Sequence, residues 1–203
     1  MKYLASEYNV GYSLHGAKFL NDCMLLVTGG GQANTDIPNK LTALRVDFEK
    51  KKVIKRFREI TLNSNDDCPT TLDAAAVHGQ GSLSNVILMG CNETNSTPNH
   101  HLRKFTFEND HLKFIASADF NRSDDPTEYN KLTALSSDGT VAAIASSKLP
   151  TVIRIIDPMK MGEKYEIETG NQVKDLHFSP DGKVICYITE TTLEVISIVT
   201  GRF

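Results

Sequence analysis

The stretch Phe178–Tyr187 reads Phe-Ser-Pro-Asp-Gly-Lys-Val-Ile-Cys-Tyr and repeats an earlier stretch, Leu135–Ile144, which reads Leu-Ser-Ser-Asp-Gly-Thr-Val-Ala-Ala-Ile. The shared Ser-x-Asp-Gly element predicts a tight turn, because Gly supplies a positive φ and Asp accepts backbone hydrogen bonds. Its glycines, Gly139 and Gly182, are 43 residues apart. A second apolar run follows each copy, at Val152–Asp157 and Leu193–Ile198. A repeat of this length with four strands in each unit is typical of a β-propeller.

Weaker copies of the same unit precede these two. Short apolar runs rich in Val, Ile, Leu and Phe, separated by Gly, Asp, Asn, Ser and Pro, predict eight more strands. They lie at 17–20, 24–27, 41–46 and 53–62, then at 70–73, 85–89, 102–107 and 112–115. The best helix candidate, 157–164, contains Pro158 and Gly162 and is expected to be a loop.

The predicted fold is therefore all-β, a WD-type β-propeller of about three and a half to four blades. The Trp-Asp pair of that class is absent, since the chain has no Trp. We expect residues 1–203 to form part of a single propeller domain. Its blades are predicted at approximately 8–62, 69–119, 129–170 and 173–201. Four blades alone would leave apolar faces and strand edges exposed, which favours a larger ring.

Composition excludes several classes of protein. With 40% hydrophobic residues the chain can build a packed core, so it is not wholly disordered. A formal charge of −3, from 22 bases and 25 acids, gives no global field that would favour nucleic acid or an anionic membrane as a partner. No apolar run approaches the length of a membrane-spanning helix. The four cysteines, Cys23, Cys68, Cys91 and Cys186, lack CxxC spacing and are expected to be reduced, mostly buried thiols.

The most unusual segment is the Gly-rich connection Gly29–Asn39, which reads Gly-Gly-Gly-Gln-Ala-Asn-Thr-Asp-Ile-Pro-Asn. It is longer than a hairpin turn needs, so we expect it to project from the sheet. It is not a phosphate-binding Walker loop, because no Gly-Lys-Ser/Thr follows. Its oxygens are suited to a hard cation, and the candidate ligands are Gly30, Gly31, Asn34 and Asp36. The alternatives are a binding loop and a mobile surface loop.

Other polar clusters carry weaker signals. His100 and His101 are adjacent, so in a strand they would point to opposite faces and would not share a metal ion. The basic run 49–56 is expected to cap a hairpin as a solvated turn, and the acid pairs 66–67 and 124–125 are expected to be loop acids between blades. No nucleophile elbow occurs, so neither hydrolase nor oxidoreductase chemistry is predicted, and no organic cofactor.

Taken together, several blocks of the sequence resemble one protein family, the fungal exchange factor for the Sar-type GTPase. That family sits on the endoplasmic reticulum and starts COPII coat assembly. The resemblance covers about residues 8–201, and its blocks lie at 8–12, 16–20, 29–31, 37–41, 90–93, 101–105, 139–147, 154–158 and 173–179.

The resemblance implies a seven-bladed cytosolic propeller on the endoplasmic reticulum membrane, tethered by a C-terminal transmembrane helix that this chain does not contain. Residues 1–203 would then be the N-terminal part of that single cytosolic domain. It also implies that the Gly-rich loop holds a potassium ion and reaches into the nucleotide site of the GTPase. By position, the loop tip Ile37, Pro38 and Asn39 would contact the GTPase, and Asn39 would be the side chain critical for exchange. COPII coat components are possible further partners.

One departure from the family pattern bears on activity. Exchange-active members carry Asn-Gly before Ile-Pro-Asn, whereas this chain has Asn34-Thr35-Asp36. Asp36 removes the conformational freedom of Gly and adds a negative charge where nucleotide phosphates would approach. The family also has a close paralogue without exchange activity, and the stretches 50–52 and 100–103 are nearer to it. The alternative function is therefore an exchange-inactive paralogue or a propeller scaffold that binds the GTPase or coat proteins without stimulating nucleotide release.

Overall fold

The computed structural model describes residues 4–31, 36–78, 83–93, 98–123 and 125–199. These residues form four antiparallel sheets, each built from strands that follow one another in the chain. The first sheet contains β1 (Leu14–Asn21), β2 (Met24–Gly29), β3 (Lys40–Val46) and β4 (Ile54–Thr61), and the second contains β5 (Thr71–His78), β6 (Leu83–Gly90), β7 (Leu102–Glu108) and β8 (His111–Ala118). The third contains β9 (Asn130–Leu135), β10 (Ala142–Ser146), β11 (Val152–Asp157) and β12 (Gly162–Glu168), and the fourth β13 (Asp175–Phe178), β14 (Val184–Ile188) and β15 (Leu193–Ser197).

These sheets are four consecutive blades of a β-propeller, which confirms the predicted all-β fold class. The described part of the chain contains no helix, and the helix candidate at 157–164 is a turn at 158–161 with the adjoining ends of β11 and β12. The first three blades have four strands and the fourth has three. No helix in the described ranges is long and apolar enough to cross a bilayer.

The core lies between neighbouring blades, and strand β6 shows why. Ile87 packs into the cluster between the first and second blades, whereas its neighbour Leu88 packs into the cluster between the second and third. Successive residues of a strand point to opposite faces, so a blade covered on both sides needs an unbroken apolar run. The same rule places Ile144 and Ile153 in clusters on opposite faces of the third blade.

The first strands of successive blades lie side by side and are joined through one carboxylate. Asp73 of β5 accepts hydrogen bonds from its own neighbour Ala74 N at 2.9 Å and from Leu135 N of the third blade at 2.7 Å. Lys18 Nζ of the first blade lies 2.7 Å from Asp73 Oδ1. Asp73 therefore contacts all of the first three blades.

The two Ser-x-Asp-Gly turns form as predicted. Ser136 Oγ donates to Asp138 Oδ1 at 2.6 Å, and Ser179 Oγ donates to Asp181 Oδ1 at 2.6 Å. The glycine of each turn has the expected positive φ, 67° in one and 68° in the other. These local hydrogen bonds set the register of the strands that flank each turn.

Because the strands alternate in direction, their connections lie at two opposite ends of the blades. The β2–β3 and β4–β5 connections lie at one end, where Gly29 and Thr61 both pair with Lys40. We call this end the loop face. The β1–β2 and β3–β4 turns lie at the other end, where Val46 pairs with Ile54, and we call it the hairpin face. Strand β3 has seven residues, so the two faces are roughly 20 Å apart.

The cysteines are unpaired, but the expectation that most of them are buried is wrong. Cys91 alone of the four is buried, whereas Cys68 and Cys186 are half-buried and Cys23 is exposed. Cys23 follows Asn21 and Asp22 in the β1–β2 turn, where no neighbouring blade covers it. A cysteine beside a short apolar run can therefore be exposed, because the run alone does not show where the strand ends and the turn begins.

Candidate functional site

The Gly-rich connection begins in a buried root on the loop face. Gly29, Gly30 and Gly31 are buried, and Gly30 N donates to Ser13 O at 3.0 Å. Gly31 N donates to Ile37 O at 3.3 Å, which brings the two ends of the connection together. A Cβ on Gly30 would lie 2.6 Å from the Asn39 Cα, so no larger residue fits without displacing Asn39.

The predicted tip residues differ in exposure. Asp36, Ile37 and Pro38 are exposed, and Ile37 presents 45% of its surface to solvent although it is apolar. These three residues are therefore accessible to a partner, and the projection of the connection from the sheet stays a prediction. Asn34, a predicted cation ligand, lies outside the described residues.

Asn39 lies at the root of the connection, with its side chain directed into the protein. Its Nδ2 donates to Asp66 O at 2.9 Å, and its backbone oxygen accepts from Leu62 N at 2.8 Å. Its Oδ1 is buried and has no hydrogen-bond partner among the described residues. Direct contact of Asn39 with a GTPase stays a prediction, and the geometry adds a second role, which is to fasten the loop to the β4–β5 connection.

The orphaned Asn39 Oδ1 is compatible with the predicted cation site. Hard cations take oxygen ligands, and a buried oxygen without a donor gains most from such a ligand. Of the other predicted ligands, Gly30 is packed against Asn39, Gly31 is hydrogen-bonded to Ile37, and Asp36 offers an exposed carboxylate. These residues fit a potassium ion in the nature of their donors, and potassium binding stays a prediction.

Next to Asn39, the loop face contains a buried ion-pair network that the sequence did not predict. The Arg103 guanidinium lies 2.7 Å from Asp66 Oδ1 and 3.2 Å from Glu93 Oε1. The side chains of Arg103 and Asp66 are only 4% and 5% exposed. Asp66 lies in a loop between two blades, as expected, but its side chain is buried because it is the counter-ion of a buried cation. The same residue provides the carbonyl that holds Asn39.

Glu93 extends the network toward the surface. Its Oε2 lies 3.0 Å from His100 Nδ1, so His100 pairs with a carboxylate. Burial raises the pKa of Glu93, but the hydrogen bonds from His100 and the charge of Arg103 outweigh burial and leave that pKa below its usual value. In the described ranges, no three His, Cys, Asp or Glu side chains are arranged to hold a metal ion.

A pocket of about 360 Å³ opens beside this network, between the first and second blades. Its polar end is formed by Asp66, Glu93 and Arg103, and its apolar wall includes Leu62 and Phe114. Because Leu62 N is bonded to the Asn39 backbone, the pocket adjoins the root of the Gly-rich connection. A partner protein that contacts the exposed tip would therefore also lie near this pocket.

His101, the second histidine of the pair, is buried on the same face and gives a testable pH dependence. Its side chain is 1% exposed, and burial lowers its pKa below 6.5 against the opposing effects of the Asn99 carbonyl and Asp119. The unfolded chain then takes up a proton before the folded chain does, so the free energy of unfolding should fall as the pH drops from about 7 to about 5. The His101→Gln variant should lose up to about 1.4 kcal/mol per pH unit of this slope in urea titrations.

The exposed His177 offers a matched control, since His177→Gln makes the same replacement at a side chain that is 74% exposed. An identical pH dependence in the wild type and in the His101→Gln variant would show that His101 does not titrate differently in the folded state.

Comparison with known proteins identifies relatives of this chain. No protein-family model matches the chain. The chain is 63% identical over 203 residues to the candidate guanine nucleotide-exchange factor SED4 of Candida glabrata and 55% identical over 205 residues to SED4 of Saccharomyces cerevisiae. It is 47% identical over 209 residues to the guanine nucleotide-exchange factor SEC12 of Candida glabrata. The chain is a homologue of SED4 and SEC12. This confirms the predicted resemblance to exchange factors.

The alignments cover nearly the whole chain but only part of each relative. They span 98% of the chain and 19% or 18% of the two SED4 proteins, and 99% of the chain and 44% of SEC12. The chain therefore spans less than half the length of the curated relatives that it matches. What those proteins do as a whole is accordingly a proposal for this chain.

The similarity to two solved structures supports the assignment of the fold and does not bear on function. A candidate 6-phosphogluconolactonase from Bacteroides uniformis superposes with a TM-score of 0.61 at 14% identity, over 93% of this chain and 52% of that one. The β-propeller domain of Cps50 (Swd1) from Myceliophthora thermophila superposes with a TM-score of 0.60 at 13% identity, over 97% of this chain and 58% of that domain.

Proposed function

We propose that this chain regulates a Sar-type small GTPase in COPII vesicle formation, on the cytosolic face of the endoplasmic reticulum, and that it stimulates nucleotide exchange through the loop 29–39. The observation that carries the proposal is the contrast within this loop. Its root is buried and hydrogen-bonded, whereas Ile37 and Pro38 are exposed at its tip. Homology to SED4 and SEC12 over nearly the whole chain supports the same assignment.

Exchange of this kind needs no covalent step. A protein that binds the nucleotide-free GTPase more tightly than the loaded one must weaken nucleotide binding by the same factor. A thousandfold weakening corresponds to about 4 kcal/mol of differential binding. A loop can supply this differential binding energy only if it keeps its conformation when it binds the GTPase. The bonds from Gly30 to Ser13 and from Asn39 to Asp66 and Leu62 supply that resistance here.

Within this mechanism the residues of the loop have separate roles. Ile37 and Pro38 make apolar contact with the GTPase near its nucleotide, and Asn39 holds them in position from the root. Gly30, Gly31 and Asp36 would help to hold a potassium ion, which would supply positive charge at the loop. Asn39 Oδ1 is the oxygen best placed for it, because it is buried and lacks another partner among the described residues.

The second candidate function is binding without exchange, and Asp36 is the observation that favours it. This exposed carboxylate directly precedes Ile37, so it would approach the phosphates of the nucleotide together with the tip. Like charges brought together in a partly desolvated site repel each other. A loop with this charge would still allow the propeller to bind the GTPase or coat proteins as a scaffold.

Release of a fluorescent guanine nucleotide from a Sar-type GTPase, measured with and without the chain, tests both functions. Exchange predicts that release accelerates by about a hundredfold at saturating chain, as expected for a coupling near 3 kcal/mol. Binding in a pull-down with unchanged release would establish the scaffold, and acceleration that appears only in the Asp36→Gly variant would identify the carboxylate as the cause. Unchanged release without binding would contradict both functions.

A further inference from the structure

The basic residues of the chain are concentrated in one hairpin. Residues 45–58 contain seven of the 22 Lys and Arg but only two of the 25 acids, although the whole chain carries −3. This segment comprises the end of β3, the turn 47–53 and the start of β4. The net charge of the whole chain does not attract it to an anionic surface. In the folded chain, however, positive side chains cluster at one edge of the first blade and produce a local positive potential there.

The turn at the tip of this hairpin is braced and presents a specific set of side chains. Asp47 accepts from Glu49 N at 3.0 Å, and its backbone oxygen accepts from Lys50 N at 3.3 Å. These bonds leave Phe48 outside, with 51% of its surface exposed, next to the exposed lysines Lys50–Lys52. A half-exposed aromatic side chain is thus held next to three lysines in the sequence.

The remaining cations of the hairpin differ in whether they are neutralised. Arg45 is paired with Asp110 at 3.2 Å and stacks on Phe57, so its charge is already engaged. Lys50 lies 3.4 Å from Asp47. Lys51, Lys52 and Lys55 have no anionic partner among the described residues. The acid nearest in sequence to Lys51 and Lys52 is the exposed Glu49. The tip therefore has an uncompensated positive charge.

We propose that this tip, Phe48 with Lys50–Lys52, is a docking surface for a lipid bilayer with anionic headgroups. Lysines near such a surface are attracted to the headgroups, and an exposed aromatic ring inserts at the boundary between headgroups and acyl chains. An acidic protein partner would account for the lysines, but it would not require an exposed Phe in the same turn. The combination of ring and charges therefore favours lipid.

The rest of the hairpin face limits how the chain can dock. Its inner turns carry the acids Asp22, Asp138 and Asp181, which a negatively charged surface repels. Contact is therefore made through the edge of the first blade and not through the whole face. The loop face is at the opposite end of the same blade, roughly 20 Å away along β3. A docked chain would leave the loop 29–39 free to meet a GTPase above the membrane.

The proposal is tested by sedimentation of the chain with vesicles. The wild-type chain should bind vesicles of phosphatidylcholine with about one third phosphatidylserine, should ignore vesicles of phosphatidylcholine alone, and should be released by high salt. The Lys50→Ala/Lys51→Ala/Lys52→Ala variant should bind about a hundredfold more weakly, since each lysine contributes about fivefold. The Phe48→Ser variant should bind about tenfold more weakly, because the ring no longer enters the interface.

The matched control removes the same charge elsewhere. In the Lys160→Ala/Lys164→Ala/Lys183→Ala variant three exposed lysines outside the hairpin are lost, and vesicle binding should persist. Equal loss in both triple variants would overturn the hairpin assignment. Failure of the wild type to bind the anionic vesicles, including the case in which it binds polyglutamate instead, would overturn the assignment to lipid.

Discussion

Replacement of Arg103 by Met is expected to lower the free energy of unfolding by about 3–5 kcal/mol, because it leaves a buried carboxylate without its counter-ion. Asp66 is 5% exposed, and its charge is compensated by Arg103 at 2.7 Å. Met retains most of the apolar volume of Arg, so the loss reports on charge and not on a cavity. Small domains are stable by only about 5–15 kcal/mol, so this variant should unfold at markedly lower urea concentration.

Two further variants assign the loss to the buried pair. Arg122→Met removes an exposed arginine that is paired with Glu163 and should cost less than about 1 kcal/mol. Adding Asp66→Asn to Arg103→Met removes the orphaned charge and should restore part of the stability. A loss below about 1 kcal/mol in the Arg103→Met variant would show that water reaches Asp66 and that the network is not buried in solution.

Replacement of Asn39 by Ala is expected to abolish whatever exchange activity the chain has. The variant loses the bond from Asn39 Nδ2 to Asp66 O and leaves the exposed tip fastened by backbone bonds alone. A misplacement of about 1 Å at a reacting centre costs about a hundredfold in rate. Nucleotide release from the GTPase should therefore return to its rate without the chain, whereas the melting temperature should change by only a few degrees.

The control for this experiment is another asparagine with an equivalent bond at the other end of the sheets. Asn85 Nδ2 donates to Phe107 O at 2.8 Å, near the hairpin face. The Asn85→Ala variant should lose similar stability and retain exchange. Full exchange by the Asn39→Ala variant would refute the role given to Asn39, both as a GTPase contact and as the anchor of the loop.

The sequence predicted those features that depend on near neighbours in the chain. The Ser-x-Asp-Gly turns formed as expected, because Ser136 and Asp138 are two residues apart and need no other partner. The apolar runs form strands because both faces of a blade are covered. In β6, for example, alternate side chains pack against the blades on either side. The exposed part of the Gly-rich connection also followed from its length. These were sufficient for the fold class.

The features that the sequence did not predict depend on residues far apart in the chain. Asp66, Glu93 and Arg103 come from three different segments, and nothing in any one segment indicates that they form ion pairs with one another. One signal was available, since a charge in a strand covered on both sides must have a buried partner. The inward turn of Asn39 had no such signal, because its partner Asp66 lies 27 residues away.

The carboxylate of Asp73 has a consequence for how the propeller assembles. In most repeat proteins each unit contacts only its neighbours, so folding can begin at any unit and spread outward. Here one side chain bonds to the second and third blades and pairs with Lys18 of the first. Each of these contacts needs two blades at most, but the full set around Asp73 is complete only when three blades have come together, which couples the three units. Cooperativity in this chain is therefore expected to extend over three repeats and not over two.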